Sequence, residues 1–466
     1  MNRLKNTTVL IMFFCIELFG KTPHLSGNIT FSIKEGVIKC DFVLSDIPSI
    51  NNYSIRINSG FNIALIGDST LKTKYEFNKD YNSESDEAFQ YYITDKSGKK
   101  RHLPKTLRFI YTGAFPVISD TAEMYNSRDW KGNIAFNGST LRMTEQSAWY
   151  PVLYNADKDE VIDKYTYSID VKCSDCSSEY VNGDVPKAGG TNNFNSNKPV
   201  SMLLFAGNYK FEKREGIYFI NTGLSEKESG LLAKWSNNII KYYSDKFNIP
   251  YGSSIFYLGA VPVAKRKAWL FVTYPTIALV GRTYTYNIFF NDKNGLSIDT
   301  SQIHFIAHEM GHYYFGTLFK PNAELKWVFL EGLTEFASLQ FVKDNLGTNT
   351  YRAIISSYIK ELSKKENYQA LNKIKESGSV SELYRYRYVP LLITALEKKT
   401  GEKKIWDWLA FVVKSKNVKT DYSFFESSLL KSGIPQATLD WFVKRYVNSD
   451  DRLQNLINDL SPISKE

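Results

Sequence analysis

The sequence predicts an α+β protein, with an N-terminal antiparallel β domain followed by a domain of mixed sheet and helices. Three observations predict it. Residues 27–182 carry short β-branched and aromatic runs broken by Gly, Asn, Asp and Pro. Residues 201–290 mix such runs with one long helical segment. After Asp299, apolar residues recur at helical spacing. The chain has 466 residues, enough for two domains with cores of their own.

In chain order, Arg3 and Lys5 precede an apolar run from Thr8 to Phe19. That run is short for a membrane span, so residues 1–20 read as a secretory signal with Gly20 at the cleavage point. Export to a periplasmic or extracellular space follows, and an uncleaved anchor is the alternative. No other segment is long and apolar enough to cross a membrane. A β-sandwich or saddle is expected over 21–200, with strands such as Ile29–Ile33, Val37–Val43, Tyr53–Ile57, Leu107–Tyr111 and Tyr165–Val171. Gly183–Pro199 is rich in Gly, Asn and Ser and reads as a long loop near a domain junction. The second domain is expected over 201–450. It opens with strands near Met202–Ala206 and Gly216–Ile220, a helix over Glu226–Phe247 and strands between Ser254 and Phe290. Residues 451–466 read as a tail.

The formal net charge is +9, and its densest cluster is Lys96, Lys99, Lys100 and Arg101. No nucleic-acid motif accompanies it, so it reads as a solvated basic surface and nucleic acid is not an expected partner. Cys15 leaves with the leader. Cys173-Ser-Asp-Cys176 has no second pair and no nearby His, so a local disulfide or plain thiols are expected there rather than a metal site.

Chemistry concentrates after Asp299. The chain has five His, and three lie between 304 and 312. His308-Glu309-Met310-Gly311-His312 is an HExxH pattern. On a helix, positions four apart share a face, so both imidazoles reach one ion. Asp299 is placed to cap that helix, with Gln302 completing a capping box and Gly316 ending it. Ile303, Ile306, Ala307, Met310 and Phe315 give it an apolar face. Glu331 follows His312 after eighteen residues, inside Trp327-Val-Phe-Leu-Glu-Gly332. A second amphipathic helix there carries Glu331 towards the imidazoles as third ligand. One position stays open for water, which marks a catalytic rather than a structural zinc. Glu335, one turn on, is placed either to hold a ligand imidazole or to face solvent. His304 reads as peripheral, because three ligands in one helical row suit a tetrahedral ion poorly. Glu309 is placed as general base beside the ion.

His308-Glu-Met-Gly-His312, eighteen residues, then Leu330-Glu-Gly332 resembles the gluzincin zinc metallopeptidases of the aminopeptidase N and leukotriene A4 hydrolase family. The resemblance implies a β domain followed by a thermolysin-like domain of mixed sheet and helices, one catalytic zinc, and a peptide or protein substrate. It also implies a tyrosine that hydrogen-bonds the reaction's oxyanion. Aligning on Gly401 puts Tyr386 there, with Tyr384 and Tyr388 as alternative registers. Ala148-Trp-Tyr-Pro151 and Tyr422–Val447 extend the likeness more weakly. One departure stands out. Family aminopeptidases hold the substrate amine with a Glu in a GxMEN strand, and here Gly281-Arg282-Thr-Tyr284 occupies that place, with Tyr284 where the Glu belongs. Gly281, Arg282 and Tyr284 are therefore the candidate substrate-binding residues, and exo- versus endopeptidase action stays open. The alternative reading is a non-catalytic binding or scaffold protein on the same fold.

Overall fold

The computed structural model describes residues 22–81, 87–118, 129–252, 254–263, 269–281, 286–290, 297–364, 368–416 and 418–465. The leader lies outside them.

The N-terminal part is two sheets packed face to face. One runs Thr191–Ser201, Lys164–Cys173, His24–Ser32, Val37–Ser45, Leu107–Ala114, Phe61–Gly67. The other runs Glu160–Ile162, Val152–Asn155, Tyr53–Asn58, Ala88–Thr94, Glu76–Asp80. Period-two alternation explains the packing: Tyr165, Tyr167, Ile169 and Val171 point inward while Ser168, Asp170 and Lys172 face water. Ile29, Phe42 and Phe109 meet Ile55, Ile93 and Leu153 in one core. The first sheet is not purely antiparallel as expected, because His24–Ser32 pairs with Lys164–Cys173 in parallel. Strands so far apart in sequence need no hairpin, which frees their direction.

The Gly/Asn/Ser-rich stretch is not one long loop: Lys187–Ala188 pairs with Ser178–Val181. Thr191–Ser201 is an edge strand along Lys164–Cys173. Its Asn and Ser side chains mostly face outward and Phe194 is buried, so its composition hides a strand. Cys173 and Cys176 form a disulfide. Between them, Asp175 accepts hydrogen bonds from the Ile33 and Lys34 amides and the Ser32 hydroxyl, pinning the first hairpin.

A third sheet (Lys187–Ala188, Ser178–Val181, Leu204–Gly207, Thr140–Met143, Ala135–Phe136) stacks on a fourth. Leu204–Gly207 pairs with Ser178–Val181 and Thr140–Met143, and the strands after Gly207 belong to the fourth sheet. The fourth sheet is mixed: Phe211–Arg214, Ile217–Ile220, Phe256–Ala260, Thr276–Val280, Trp269–Thr273. One of its faces, with Ile220, Leu258, Ala278 and Val280, packs on Tyr180 and Phe205 of the third sheet and on Leu203 just before it. The other, with Phe219, Tyr257, Ile277 and Leu279, packs on helices. Tyr180 Oη and Thr276 Oγ1 lie 2.7 Å apart, and Asn182 Nδ2 donates to the Tyr274 carbonyl at 2.8 Å. These bonds fix the β-rich half against the helical half.

The helices are α1 (Glu226–Phe247), α2 (Thr300–Gly311), α3 (Leu333–Asn345), α4 (Thr348–Leu362), α5 (Val389–Thr400), α6 (Glu402–Lys414), α7 (Tyr422–Lys431), α8 (Gln436–Phe442) and α9 (Arg452–Lys465). Helix α1 has the expected bounds. Ser225 and Glu228 close a capping box at its start, and it links the parallel strands Ile217–Ile220 and Phe256–Ala260. The expected tail is α9, whose Leu456 and Leu460 are fully buried in the helical core. No described helix is long and apolar enough to cross a membrane.

Candidate active site

Helix α2 is built from its cap upward. Asp299 Oδ1 accepts the Ser301 amide at 2.7 Å, and this bond with the Ser301 hydroxyl lowers the Asp299 pKa. The expected capping box does not close, because the Asp299 amide that Gln302 would engage is taken by the Phe289 carbonyl at 3.0 Å. The helix ends at Gly311, with His312 as its C-cap, not at Gly316. The chain turns there so that Phe315 and Phe319 drop into the core. Gly311 lies against α3, and a Cβ on it would sit 2.9 Å from the Thr334 methyl.

Trp327–Gly332 is not the amphipathic helix expected. Val328–Gly332 is a π-helical turn that leads into α3. Helix α3 is buried on all sides from Leu333 to Val342, so it has no polar face. Its Gln340 donates to Glu397 Oε2 at 2.7 Å, which answers the polar group in the core. The π turn points Glu331 at α2. Glu331 Oε2 lies 3.3 Å from His308 Nε2 and 3.3 Å from His312 Nε2. All three donor atoms fall within 4.8 Å of one another. Ligands about 2.0–2.1 Å from a tetrahedral zinc stand about 3.3 Å apart, so this donor set fits that ion.

The far side of each imidazole is also held. His308 Nδ1 donates to Glu335 Oε2 at 2.6 Å, which leaves Nε2 to face Glu331. Glu335 is therefore a buried partner and not a solvated charge. It also accepts from the Tyr358 hydroxyl, and His304 Nε2 lies 3.3 Å from its other oxygen. His304 stands outside the donor triad and contacts Ser338 Oγ at 3.0 Å. His312 Nδ1 donates to the Phe315 carbonyl at 3.2 Å. Burial lowers the pKa of His308, but hydrogen bonds donated to Glu331 and Glu335 outweigh it and the net shift is upward. Burial, in contrast, raises the Glu331 pKa, and His312 and His308 pull it well down. The pocket is arranged for a positive charge between these groups.

Glu309 lies outside the triad and lines the cleft. Burial raises its carboxyl above the usual range, against the pull of His308 and His312. Tyr384–Tyr388 is a second π-helical turn. It aims the Tyr386 ring at the site, with its centroid 5.7 Å from that of His308. Tyr384 and Tyr388 turn away and pack on Tyr368, at 6.1 and 5.0 Å. Burial, then the nearby Glu331, raise the Tyr386 phenol, while Arg385 opposes them. Gly281 follows strand Thr276–Val280, and its amide donates to the Ala260 carbonyl at 3.2 Å. Arg282 and Tyr284 lie outside the described residues.

The triad sits in a cleft of about 1070 Å³ between the helices and the β-rich half. That half supplies residues the sequence reading missed: Lys131, Glu145, Asp163 and Lys164. They are more than a hundred residues from the histidines, and no local pattern ties them to the site.

No family model matches the chain, and no curated protein matches it. Solved structures do. The M1 zinc metallopeptidase of Deinococcus radiodurans matches with a TM-score of 0.59 at 15% identity, over 91% of this chain and 92% of that one. A mutant of that enzyme bound to a Tyr-Ser-Ala substrate gives 0.60 at 15%, over 91% and 93%. Yeast LTA4 hydrolase in complex with bestatin gives 0.60 at 13%, over 90% of this chain and 65% of that one. The chain thus spans about two thirds of the yeast enzyme. At such identities the likeness is one of fold: the chain has the fold of these zinc metallopeptidases, the proteins its motifs resemble.

Proposed function

We propose that the chain is a zinc-dependent peptidase, with His308, His312 and Glu331 as ligands. The observation that carries this is the double 3.3 Å approach of Glu331 to the two imidazoles, beside Glu309 and Tyr386 in an open cleft. A zinc ion held there supplies Lewis acidity, polarising a peptide carbonyl and acidifying a water molecule. Glu309 takes the proton of the attacking water at its carboxylate and hands it to the departing amine. Burial raises its pKa, which makes the carboxylate a better base towards that water. Tyr386 keeps its phenolic proton, since its pKa lies above the ordinary value, and donates a hydrogen bond to the oxyanion as it forms. The leader-like N-terminus and the Cys173–Cys176 disulfide support action outside the cytoplasm.

The purified protein is expected to carry about one zinc per chain and to hydrolyse peptides. A panel with free and acetylated N-termini separates two specificities. Equal cleavage of both forms marks an endopeptidase, and loss of the acetylated ones marks an aminopeptidase. A protein that neither retains zinc nor can be reloaded with it contradicts the proposal. Tyr386→Phe is expected to lower kcat by about a hundredfold with KM little changed, measured on the best peptide of the panel. An equal loss in Tyr384→Phe, with Tyr386→Phe active, would shift the donor role to the other register.

A further inference from the structure

Where the β-rich wall of the cleft meets the turn after α2, three lysines and two carboxylates share one neighbourhood. Lys131 Nζ pairs with Glu145 Oε1 at 2.5 Å and donates to the Val272 carbonyl at 2.8 Å. Glu145 Oε2 accepts the Thr273 hydroxyl at 3.0 Å. Lys320 Nζ pairs with Asp163 Oδ1 at 2.9 Å, and Asp163 Oδ2 accepts the Ser201 hydroxyl at 2.9 Å. Each carboxylate thus already has its own lysine. Lys164 is the third cation. Half-buried at the start of its strand, it sends Nζ across the cleft to the Thr317 carbonyl, 2.9 Å away. The Thr317 amide in turn donates to the His312 carbonyl at 3.1 Å, so this ammonium sits on the turn that leaves the metal-binding helix.

A neutral carbonyl does not balance a charge. An ammonium has three donors, and the Thr317 carbonyl takes one. Its electrostatics agree with the geometry. Burial, then repulsion from Lys320, pull the Lys164 pKa down to about 7, and Asp163 and Glu145 only partly offset them. Taking a cation out of water without a counter-ion is costly, and an arriving anion removes that cost. Of these five groups only the Lys164 ammonium has no carboxylate of its own, inside the cleft that a peptide would occupy.

We propose that Lys164 binds a carboxylate of the substrate, from an acidic side chain or from the peptide's C-terminus. This rests on the peptidase reading and names the substrate chemistry that the cleft selects. If Lys164 only ties the strand to the turn, substrate charge has no bearing on it.

The test uses zinc-loaded protein carrying Glu309→Gln, so that peptides bind without being cut, and calorimetry reads their affinity. The probes are an amidated neutral hexapeptide of Ala, Phe and Gln, the same peptide as the free acid, and amidated versions with Glu replacing each Gln. At least one carboxylate-bearing probe is expected to bind about tenfold more tightly than the neutral one. Adding Lys164→Met should bring that ratio to about one, and Lys164→Arg should keep most of it, which separates lost charge from lost fold. Preference for the free acid assigns the C-terminus, and preference for a Glu probe assigns the side chain. Equal affinities throughout, or a preference that survives Lys164→Met, overturn the inference. Cleavage of the neutral peptide by the parent protein with no carboxylate preference removes this inference alone. A protein that neither binds nor cuts any probe removes the peptidase reading with it.

Discussion

Replacing Glu309 by Gln is expected to reduce peptide hydrolysis by about a thousandfold, with zinc still bound. The carboxylate lies outside the donor triad, so its loss removes no ligand. Gln keeps the shape but has no oxygen basic enough to take a proton from water. General acid–base transfer contributes roughly 10²–10⁴ in rate, and Glu309 serves on both sides of the step. Folding should not suffer. Burial already penalises the charge of Glu309, and Glu331 and Glu335 repel it. The check is kcat with metal content and a melting curve on the same sample. Activity within tenfold of the parent would assign the proton transfer to another group.

Replacing Glu331 by Ala should be the most severe change to the metal centre. Two imidazoles remain, and the oxygen 3.3 Å from each is gone. Zinc bound by four ligands is worth about 10–16 kcal/mol, so one ligand's share corresponds to roughly a hundredfold or more in affinity. The measurement is competition with a chelator of known strength, followed by assay at saturating zinc. Hydrolysis is expected to fall to background in dilute metal. Unchanged zinc affinity would mean that Glu331 is not a ligand. The two substitutions separate cleanly, since one spares the metal and the other does not.

Which parts were legible in the sequence follows from how locally each was encoded. The two imidazoles and Glu309 depend on one helix and a spacing of four, and any regular α2 delivers them. Glu331 was legible as a residue but not as a geometry. Trp327, Leu330 and Leu333 suggested an amphipathic helix, whereas the structure has a π turn and a helix buried all round. Tyr386 was reached through a family resemblance and an alignment on Gly401, and no spacing rule singles it out from Tyr384 and Tyr388. The edge strand Thr191–Ser201 was missed because an outward-facing strand edge tolerates the same Asn and Ser that loops prefer. Lys131 and Lys164 were missed for a different reason. Their place in the cleft is a property of how two halves dock, and residues that far apart leave no shared pattern.

The two widened turns that carry Glu331 and Tyr386 have a consequence for inheritance. Val328–Gly332 and Tyr384–Tyr388 each hold one residue more per turn than ordinary winding does, and they touch: a Cβ on Gly332 would lie 3.4 Å from the Arg385 carbonyl. Dropping a single codon from either would let that turn relax to ordinary α winding, with its packed flanks still in phase, and would swing Glu331 or Tyr386 about the helix axis away from the imidazoles. Descendants of this gene can change letters along these stretches far more freely than they can change their number.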